Sequence, residues 1–231
     1  GQLVGSFAET PELTRIEVDG ANAHYESLDG VLYTRDRTRL IAYPAARSAG
    51  GSYTIAEGVE GIDDMAFLMA RVESVSLPST LRRIGSQSFE GAHLRELTLP
   101  DAFETMGASA FWHMPALTRV DLGGARHVST NAFRDDAALL EVNMRPDLGT
   151  LASVADGAFV ATGVTSISLP DSVASVDDEA FAKMPALTSF HVGAGLSDLG
   201  EYVLEEDERL ATISVSPSNP TFSVSDGALY R

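Results

Sequence analysis

Residues 94–122 read LRELTLPDAFETMGASAFWHMPALTRVDL and contain one complete copy of a repeating pattern. The copy opens with Leu94, Leu97 and Leu99, passes Pro100 and then reaches Phe111. The same apolar spacing starts again at residue 117, 23 residues after residue 94. A unit this short has a single apolar face, so it can bury that face only by stacking on copies of itself. The stretch therefore predicts a repeat solenoid.

The strand signal of this unit recurs along the chain, and from residue 72 onward its steps are 22 to 25 residues long. The last two apolar residues of each signal alternate with polar ones, which is the period of a half-buried strand. We expect about eight units of 22–23 residues that share one parallel β-sheet. The predicted strands contain Leu13/Ile16/Val18, Val72/Val75/Leu77, Leu94/Leu97/Leu99, Leu117/Val120/Leu122, Leu139/Val142/Met144, Val164/Ile167/Leu169, Leu187/Phe190/Val192 and Leu210/Ile213/Val215.

The second half of each unit carries a large apolar residue at a fixed position, preceded in most units by a small residue. In stacked repeats such a column predicts a continuous spine of rings. Its members are Phe7, Phe67, Phe89, Phe111, Phe133, Phe159, Phe181 and Leu204. A further apolar column upstream is Ile62, Ile84, Met106, Val128, Val154, Val176 and Leu199. We expect stacking of these columns to be the source of stability.

Two segments depart from the array. Residues 31–33 and 40–42 flank a four-residue turn and predict a β-hairpin. The sequence SDGALY at 225–230 matches LDGVLY at 28–33 and predicts the start of a second hairpin, without its return strand. We interpret residues 1–231 as one solenoid, with a repeat and hairpin at 1–47, a regular array at 48–215 and the start of the second hairpin at 216–231. Small residues at 45–52 predict a flexible surface connector. Because both ends fall inside a unit, we expect a fragment of a longer protein.

Composition excludes several classes of function. The net charge of −17 opposes binding to nucleic acid, because such binding depends on Lys and Arg at the phosphates. No apolar run is long enough to insert into a membrane. The chain has no cysteine, and its five histidines show no zinc spacing. Acidic doublets such as Asp63-Asp64 do not align between repeats as calcium ligands would, so we expect no metal and no cofactor.

The segments SVSLPSTLRRIGSQSFEGAHLREL (74–97) and SISLPDSVASVDDEAFAKMPALTSF (166–190) resemble the BspA-like class of bacterial leucine-rich repeats. The hairpin with DGVLY also resembles a recurrent feature of that family. The resemblance implies a solenoid on secreted or surface-anchored bacterial proteins, with a role in adhesion to host proteins or other cells. The family's cysteine position is occupied here by Ala70, Ala92, Met114, Asp136, Thr162 and Met184. We expect each residue in this column to pack as a small hydrophobic side chain, as a free cysteine would.

The exposed face of the predicted sheet is the candidate binding site for an extracellular protein or a glycan. Its candidate residues are Arg95, Glu96, Arg119, Asp121, Glu141 and Asn143. A rigid sheet that holds two arginines in adjacent rows could clamp a carboxylate, because each guanidinium offers a planar pair of donors. Nearby carboxylates would then set specificity. The alternative interpretation is that these charges are cross-strand pairs that only solvate the sheet.

Other functions remain open at the level of sequence. Carboxylates at residues 73, 96, 121 and 141 could serve a carbohydrate-active enzyme as acid and base, but arginines beside them favour compensated surface charge and no enzyme. A passive spacer that displays other domains is a further alternative. A second binding candidate is the hairpin with Arg35, Arg37 and Arg39. Finally, residues 228–230 lack the return strand that residues 40–42 supply to the equivalent strand of the first hairpin, so we expect weak self-association at this edge.

Overall fold

The computed structural model describes residue 7, residues 10–225 and residues 227–231, and its regular elements within them are β-strands. The strands are β1 (Tyr25–Leu28), β2 (Val31–Thr34), β3 (Arg39–Ala42), β4 (Ser52–Thr54), β5 (Gly61–Ile62), β6 (Ser74–Ser76), β7 (Arg83–Ile84), β8 (Glu96–Thr98), β9 (Thr105–Met106), β10 (Arg119–Asp121), β11 (His127–Val128), β12 (Glu141–Asn143), β13 (Ser153–Val154), β14 (Ser166–Ser168), β15 (Ser175–Val176), β16 (Ser189–Val192), β17 (Asp198–Leu199), β18 (Thr212–Val215), β19 (Ser223–Ser225) and β20 (Ala228–Tyr230). Among these residues no helix could cross a membrane.

The longer strand of each repeat belongs to the first ladder, which contains β4, β6, β8, β10, β12, β14, β16 and β18. Parallel pairing joins β4 to β6, β8 through β10 to β12, and β14 through β16 to β18. Between β6 and β8 the Arg95 N–H still donates to the Glu73 carbonyl at 3.2 Å. The predicted solenoid of about eight parallel repeats is confirmed.

A second ladder, made of two-residue strands, runs along another side of the solenoid. The sequence predicts one parallel sheet, whereas the structure has this ladder in addition to the first. It joins β5, β7 and β9, and then β11, β13, β15 and β17, all in parallel register. Each of these strands ends on the apolar column that begins at Ile62 and reaches Leu199. The N-terminal hairpin extends this ladder, because β3 pairs in parallel with β5.

The phenylalanine spine is confirmed from Phe67 to Phe181. Its six rings are stacked with centroids 4.6–5.5 Å apart and interplanar angles of 3–19°. Tyr43 stacks on one end at 4.6 Å, and Phe190 meets the other end edge-on at 5.4 Å. The prediction for Phe7 was wrong: this residue packs in a separate small cluster around Ile16. Tyr43 takes its place because the hairpin is inserted between the first repeat and the array.

The N-terminal region differs from the prediction in its strands. Leu13, Ile16 and Val18 are not part of a β-strand, and the eighth strand of the first ladder is instead β4. That strand begins inside the stretch that we predicted to be a flexible connector. The hairpin of β2 and β3 is confirmed, with β1 as an additional antiparallel strand. At the other end β20 pairs with β19. Residues 1–6, 8, 9 and 226 lie outside the described part of the chain.

Two carboxylates are buried in the column where the family resemblance places a cysteine, so this column is not uniformly apolar. Asp136 accepts a hydrogen bond from the Met114 N–H at 2.6 Å, and Asp207 accepts one from the Met184 N–H at 2.7 Å. The second oxygen of each carboxylate is buried and has no partner among the described residues. Burial therefore raises the pKa of Asp136 well above its usual range and raises the pKa of Asp207 to about 6.

We expect Asp207→Asn to stabilise the protein at neutral pH and to flatten its pH dependence. The folded pKa of about 6 exceeds the ordinary value of 3.8, so stability is lost as pH rises from 4 to 6 and stays lower above that range. After solvent screening is allowed for, we expect this loss of stability to be on the order of 1 kcal/mol. Asparagine keeps an acceptor for the Met184 N–H but cannot ionise.

Thermal melts between pH 4 and 8 measure this effect. Asp171→Asn is the matched control, because the exposed Asp171 carboxylate also accepts a backbone hydrogen bond, from Ala194 at 2.6 Å. The control protein should still lose stability as pH rises, because it keeps the buried Asp207 carboxyl group. An Asp207→Asn protein that loses stability with pH as steeply as the parent would contradict the expected result.

Candidate functional site

The exposed side of the first ladder is the strand face, and it carries the charged residues that were predicted to bind a ligand. Alternation along each strand turns the central apolar residue inward and its two neighbours outward. Val120 of β10 is fully buried, whereas Arg119 beside it is exposed. Parallel register places Arg119 between Glu96 of β8 and Glu141 of β12. The structure therefore brings these three charges into one row.

Both arginines of the candidate site are ion-paired with a carboxylate in a neighbouring repeat. The Arg95 Nε donates to Glu73 Oε2 at 2.9 Å, and this contact lowers the pKa of the Glu73 carboxyl. The Arg119 Nη2 lies 3.5 Å from Glu141 Oε1. Arg95 is placed one position earlier in its repeat than Arg119, so the two guanidinium groups occupy adjacent rows, as expected. Each is already neutralised in part by its own partner.

Asp121 and Asn143 lie at the edge of the strand face and are only partly exposed. Asp121 Oδ1 accepts the Gly123 N–H at 2.9 Å, and its Oδ2 accepts a hydrogen bond from Asn143 Nδ2 at 2.8 Å. Arg145 Nη1 also approaches Asp121 Oδ1 at 3.4 Å. These two predicted site residues therefore form a fixed polar edge beside the row of Glu96, Arg119 and Glu141.

Arg145 is the residue at this edge that sequence reasoning missed. Its guanidinium also contacts Asp101 at 2.9 Å and makes two hydrogen bonds of 3.0 Å to Asp147. Hydrogen bonds and charges from these carboxylates raise the pKa of Arg145 above its usual range. The only signal in the sequence is the longer step between repeats, which includes residues 145–150. In the structure this loop joins three consecutive repeats.

The C-terminal half of the strand face presents hydroxyl groups instead of charge pairs. Ser189 donates to Ser166 at 2.7 Å, and His191 Nδ1 shares a hydrogen bond of 2.9 Å with Ser214. The exposed large apolar side chain of this face is Leu140, which is 58% exposed. The face thus offers charge, hydroxyl groups and one apolar contact, a combination suited to recognising a polar surface.

The geometry does not favour the carboxylates of this face as a catalytic pair. Asp121 accepts hydrogen bonds from Gly123, Asn143 and Arg145, and these bonds occupy both of its carboxylate oxygens. A general acid or base needs an oxygen that can reach the proton that it transfers. In the described part of the chain, no three His, Asp or Glu side chains are grouped so that they could hold a metal ion. Binding is therefore the chemistry that the arrangement suits best.

Comparisons with known proteins agree on the fold. The sequence profile described as BspA type leucine rich repeat region matches residues 60–152 and 128–230, in six copies. A leucine-rich repeat protein from Eubacterium ventriosum ATCC 27560 has a similar structure, with a TM-score of 0.76 and 19% identity over 98% of this chain and 60% of that one. A leucine rich cell surface protein from Faecalibacterium prausnitzii A2-165 gives a TM-score of 0.50 and 18% identity over 92% of this chain and 57% of that one.

The similarity to these two proteins shows a shared fold alone, because the sequence identities are low. The chain spans about three fifths of the length of the two solved proteins, at 60% and 57%. None of the curated proteins matches the sequence significantly.

Proposed function

Because the chain belongs to the BspA-type leucine-rich repeat family, we propose that it is a non-catalytic binding module of a bacterial surface or secreted protein. Its ligand is an extracellular protein or a glycan, and its role is adhesion to host or other cells. The surface location follows what the family resemblance implies. It is also supported by the description of one protein of similar fold as a cell surface protein.

The observation that carries this proposal is the row of Glu96, Arg119 and Glu141, held in register on three adjacent strands. Strands in a stacked solenoid are spaced by about 4.8 Å and are held by hydrogen bonds on both sides, so the charges are rigidly placed. A ligand that matches this spacing loses little entropy on the protein side when it binds. Charge complementarity of this kind selects between partners.

The ion pairs on the strand face are compatible with ligand binding. Arg95 and Arg119 are well exposed, with side chains 67% and 52% exposed. Ion pairs at such exposure contribute little to stability, so a ligand can replace Glu73 or Glu141 at low cost. A carboxylate of the ligand would then receive the planar donors of both arginines.

Binding should weaken by about tenfold or more when Arg95 and Arg119 are both changed to alanine, because each loses a charge-assisted hydrogen bond to the ligand. The measurement is a screen of the intact chain against matrix proteins and glycans, repeated with the double variant. Arg126→Ala is the matched control, because this arginine is exposed on the chain but lies outside the strand face.

Two results would contradict the proposal. A ligand whose affinity survives the double change would locate binding elsewhere, with the hairpin of Arg35, Arg37 and Arg39 as the next candidate. Failure of every ligand in the screen to bind would favour the passive spacer, in which each arginine only neutralises its neighbour on the sheet.

A further inference from the structure

Trp112, the single tryptophan of the chain, lies outside both ladders of the solenoid and is not part of the strand face. It follows Phe111, in the segment that leads from β9 of the second ladder to β10 of the first. Phe111 is fully buried in the spine, whereas Trp112 is partly exposed. The indole is therefore not needed in the phenylalanine spine.

The indole is held in place by the next repeat. Its Nε1–H donates to Asp135 Oδ2 at 3.0 Å. Arg134, which is next to Asp135 in sequence, directs its Nη1 towards Asn131 Oδ1 at 3.2 Å, and its Nε lies 3.9 Å from Asp135 Oδ2. A ring that is anchored in this way is preorganised, so little ordering remains to be done when a partner packs on it.

Apolar side chains extend the surface around Trp112 towards the first repeats of the array. Met69 is 56% exposed, and its sulfur lies over Gly91, where an added Cβ would be 2.3 Å from Sδ. Leu68 beside it is partly exposed. We give the name tryptophan patch to Leu68, Met69 and Trp112, together with the carboxylates of Glu90, in the repeat between Leu68 and Trp112, and of Asp135, in the repeat after Trp112.

Among the described residues, no later repeat carries an aromatic ring at the position of Trp112. The equivalent residue is the partly exposed Arg134 in the next repeat, and then Val160 and Ala182, which are 2% and 0% exposed. Small buried residues at this position satisfy the fold, so packing alone does not require an indole there. Tryptophan and methionine are enriched at protein interfaces, and tryptophan is enriched at the residues that carry most of the binding energy.

Charge complementarity selects the class of partner. The chain has a net charge of −17, which attracts cationic partners. The patch itself carries the two carboxylates of Glu90 and Asp135 against the one nearby guanidinium of Arg134, 3.9 Å from Asp135. Tryptophan is also the ring that binds a cation most strongly through its face. Among the described residues the cation placed over an aromatic ring is Arg47 over Tyr53, at 5.8 Å, so no cation of the chain covers Trp112.

We propose that the tryptophan patch binds a basic polypeptide segment, with an arginine or lysine side chain packed against Trp112 and its charge facing Glu90 and Asp135. Met69 and Leu68 contact the apolar stem of that side chain. Arginine suits the site best, because its planar group can stack on the indole and donate to a carboxylate at the same time. This surface is separate from the strand face, so the two proposals can fail independently.

Hexa-arginine peptide is the probe for this surface, and the fluorescence of the single tryptophan is a direct reporter. We expect a saturable change in Trp112 fluorescence on titration. By calorimetry, Trp112→Ala should weaken the affinity by about tenfold or more, as at an interface hot spot. Asp135→Asn keeps an acceptor for the indole N–H but removes one charge, so it should weaken binding by about threefold. Circular dichroism melts check that each variant is folded.

The matched control is Tyr202→Ser, which removes another exposed aromatic ring, 60% exposed, outside the patch. Changing Arg95 and Arg119 to alanine should also leave the fluorescence response intact. Equal affinity of the Trp112→Ala variant would show non-specific attraction of a polycation and overturn the proposal. Peptide binding without a change in fluorescence, no binding at all, or a response to neutral maltohexaose in place of the peptide would overturn it as well.

Discussion

Replacing Phe111 by alanine should lower the free energy of unfolding by about 3–5 kcal/mol, the usual cost of removing a fully buried ring. The side chain is 0% exposed, and its ring centroid lies 5.5 Å from Phe89 and 5.1 Å from Phe133. Alanine would leave a cavity in the middle of the spine. Because each repeat is stabilised by its neighbours, the interfaces on both sides should weaken.

Chemical denaturation of the purified chain measures this loss. Phe111→Leu is the matched variant, because leucine keeps most of the apolar volume and removes only the stacking of rings. The stacked geometry is worth about 0.5–1.5 kcal/mol beyond burial, so the leucine protein should lose less stability than the alanine protein. An alanine variant as stable as the parent would show that the spine does not support the array.

Gly123→Ala should destabilise the chain by about 2–5 kcal/mol, for two reasons that add together. The residue has φ of +50°, where a Cβ costs about 1–2 kcal/mol. An added Cβ would also lie 2.2 Å from the Leu99 carbonyl oxygen and 2.5 Å from that of Pro100. Both oxygens belong to the backbone of the preceding repeat, so the clash can be relieved only by separating stacked repeats.

Gly149 is the control that isolates the conformational cost of a positive φ from the cost of the steric clash. It has φ of +61°, and an added Cβ would meet nothing within 4 Å. Gly149→Ala should therefore cost only the penalty for positive φ, about 1–2 kcal/mol. Equal losses for the two substitutions, measured by the same denaturation experiment, would show that close stacking at Gly123 contributes nothing.

Most of the architecture could be predicted from periodic residues. Leu94, Leu97 and Leu99 alternate as a strand does, and Phe111 recurs at the same place in each repeat, so inward positions repeat with the unit. The second ladder could not be predicted in this way. Strands such as β9 contain one polar and one apolar residue, which is too short for alternation to be recognised. Tyr43 was missed as the end of the spine because it lies in the inserted hairpin, outside the period.

The candidate site was predictable to a smaller extent. Register followed from the repeat length, so the row of Glu96, Arg119 and Glu141 could be anticipated. The role of Arg145 could not, because it depends on a backbone with φ of +48° that brings its guanidinium to Asp101, 44 residues away. Such a contact depends on the path of one irregular loop and leaves no periodic trace in the sequence.

The central claim is that the charge pattern of the strand face binds a ligand. Exchanging each acidic residue of this pattern for arginine and each arginine for glutamate tests this claim most directly. The inverted protein carries Glu73→Arg, Arg95→Glu, Glu96→Arg, Arg119→Glu and Glu141→Arg, so the cross-strand pairs persist with opposite signs. We expect its melting temperature to stay within about 5 °C of the parent, because exposed pairs contribute little to stability. Its affinity for a ligand of the parent should fall by about tenfold or more. Unchanged affinity of the inverted protein would contradict the claim.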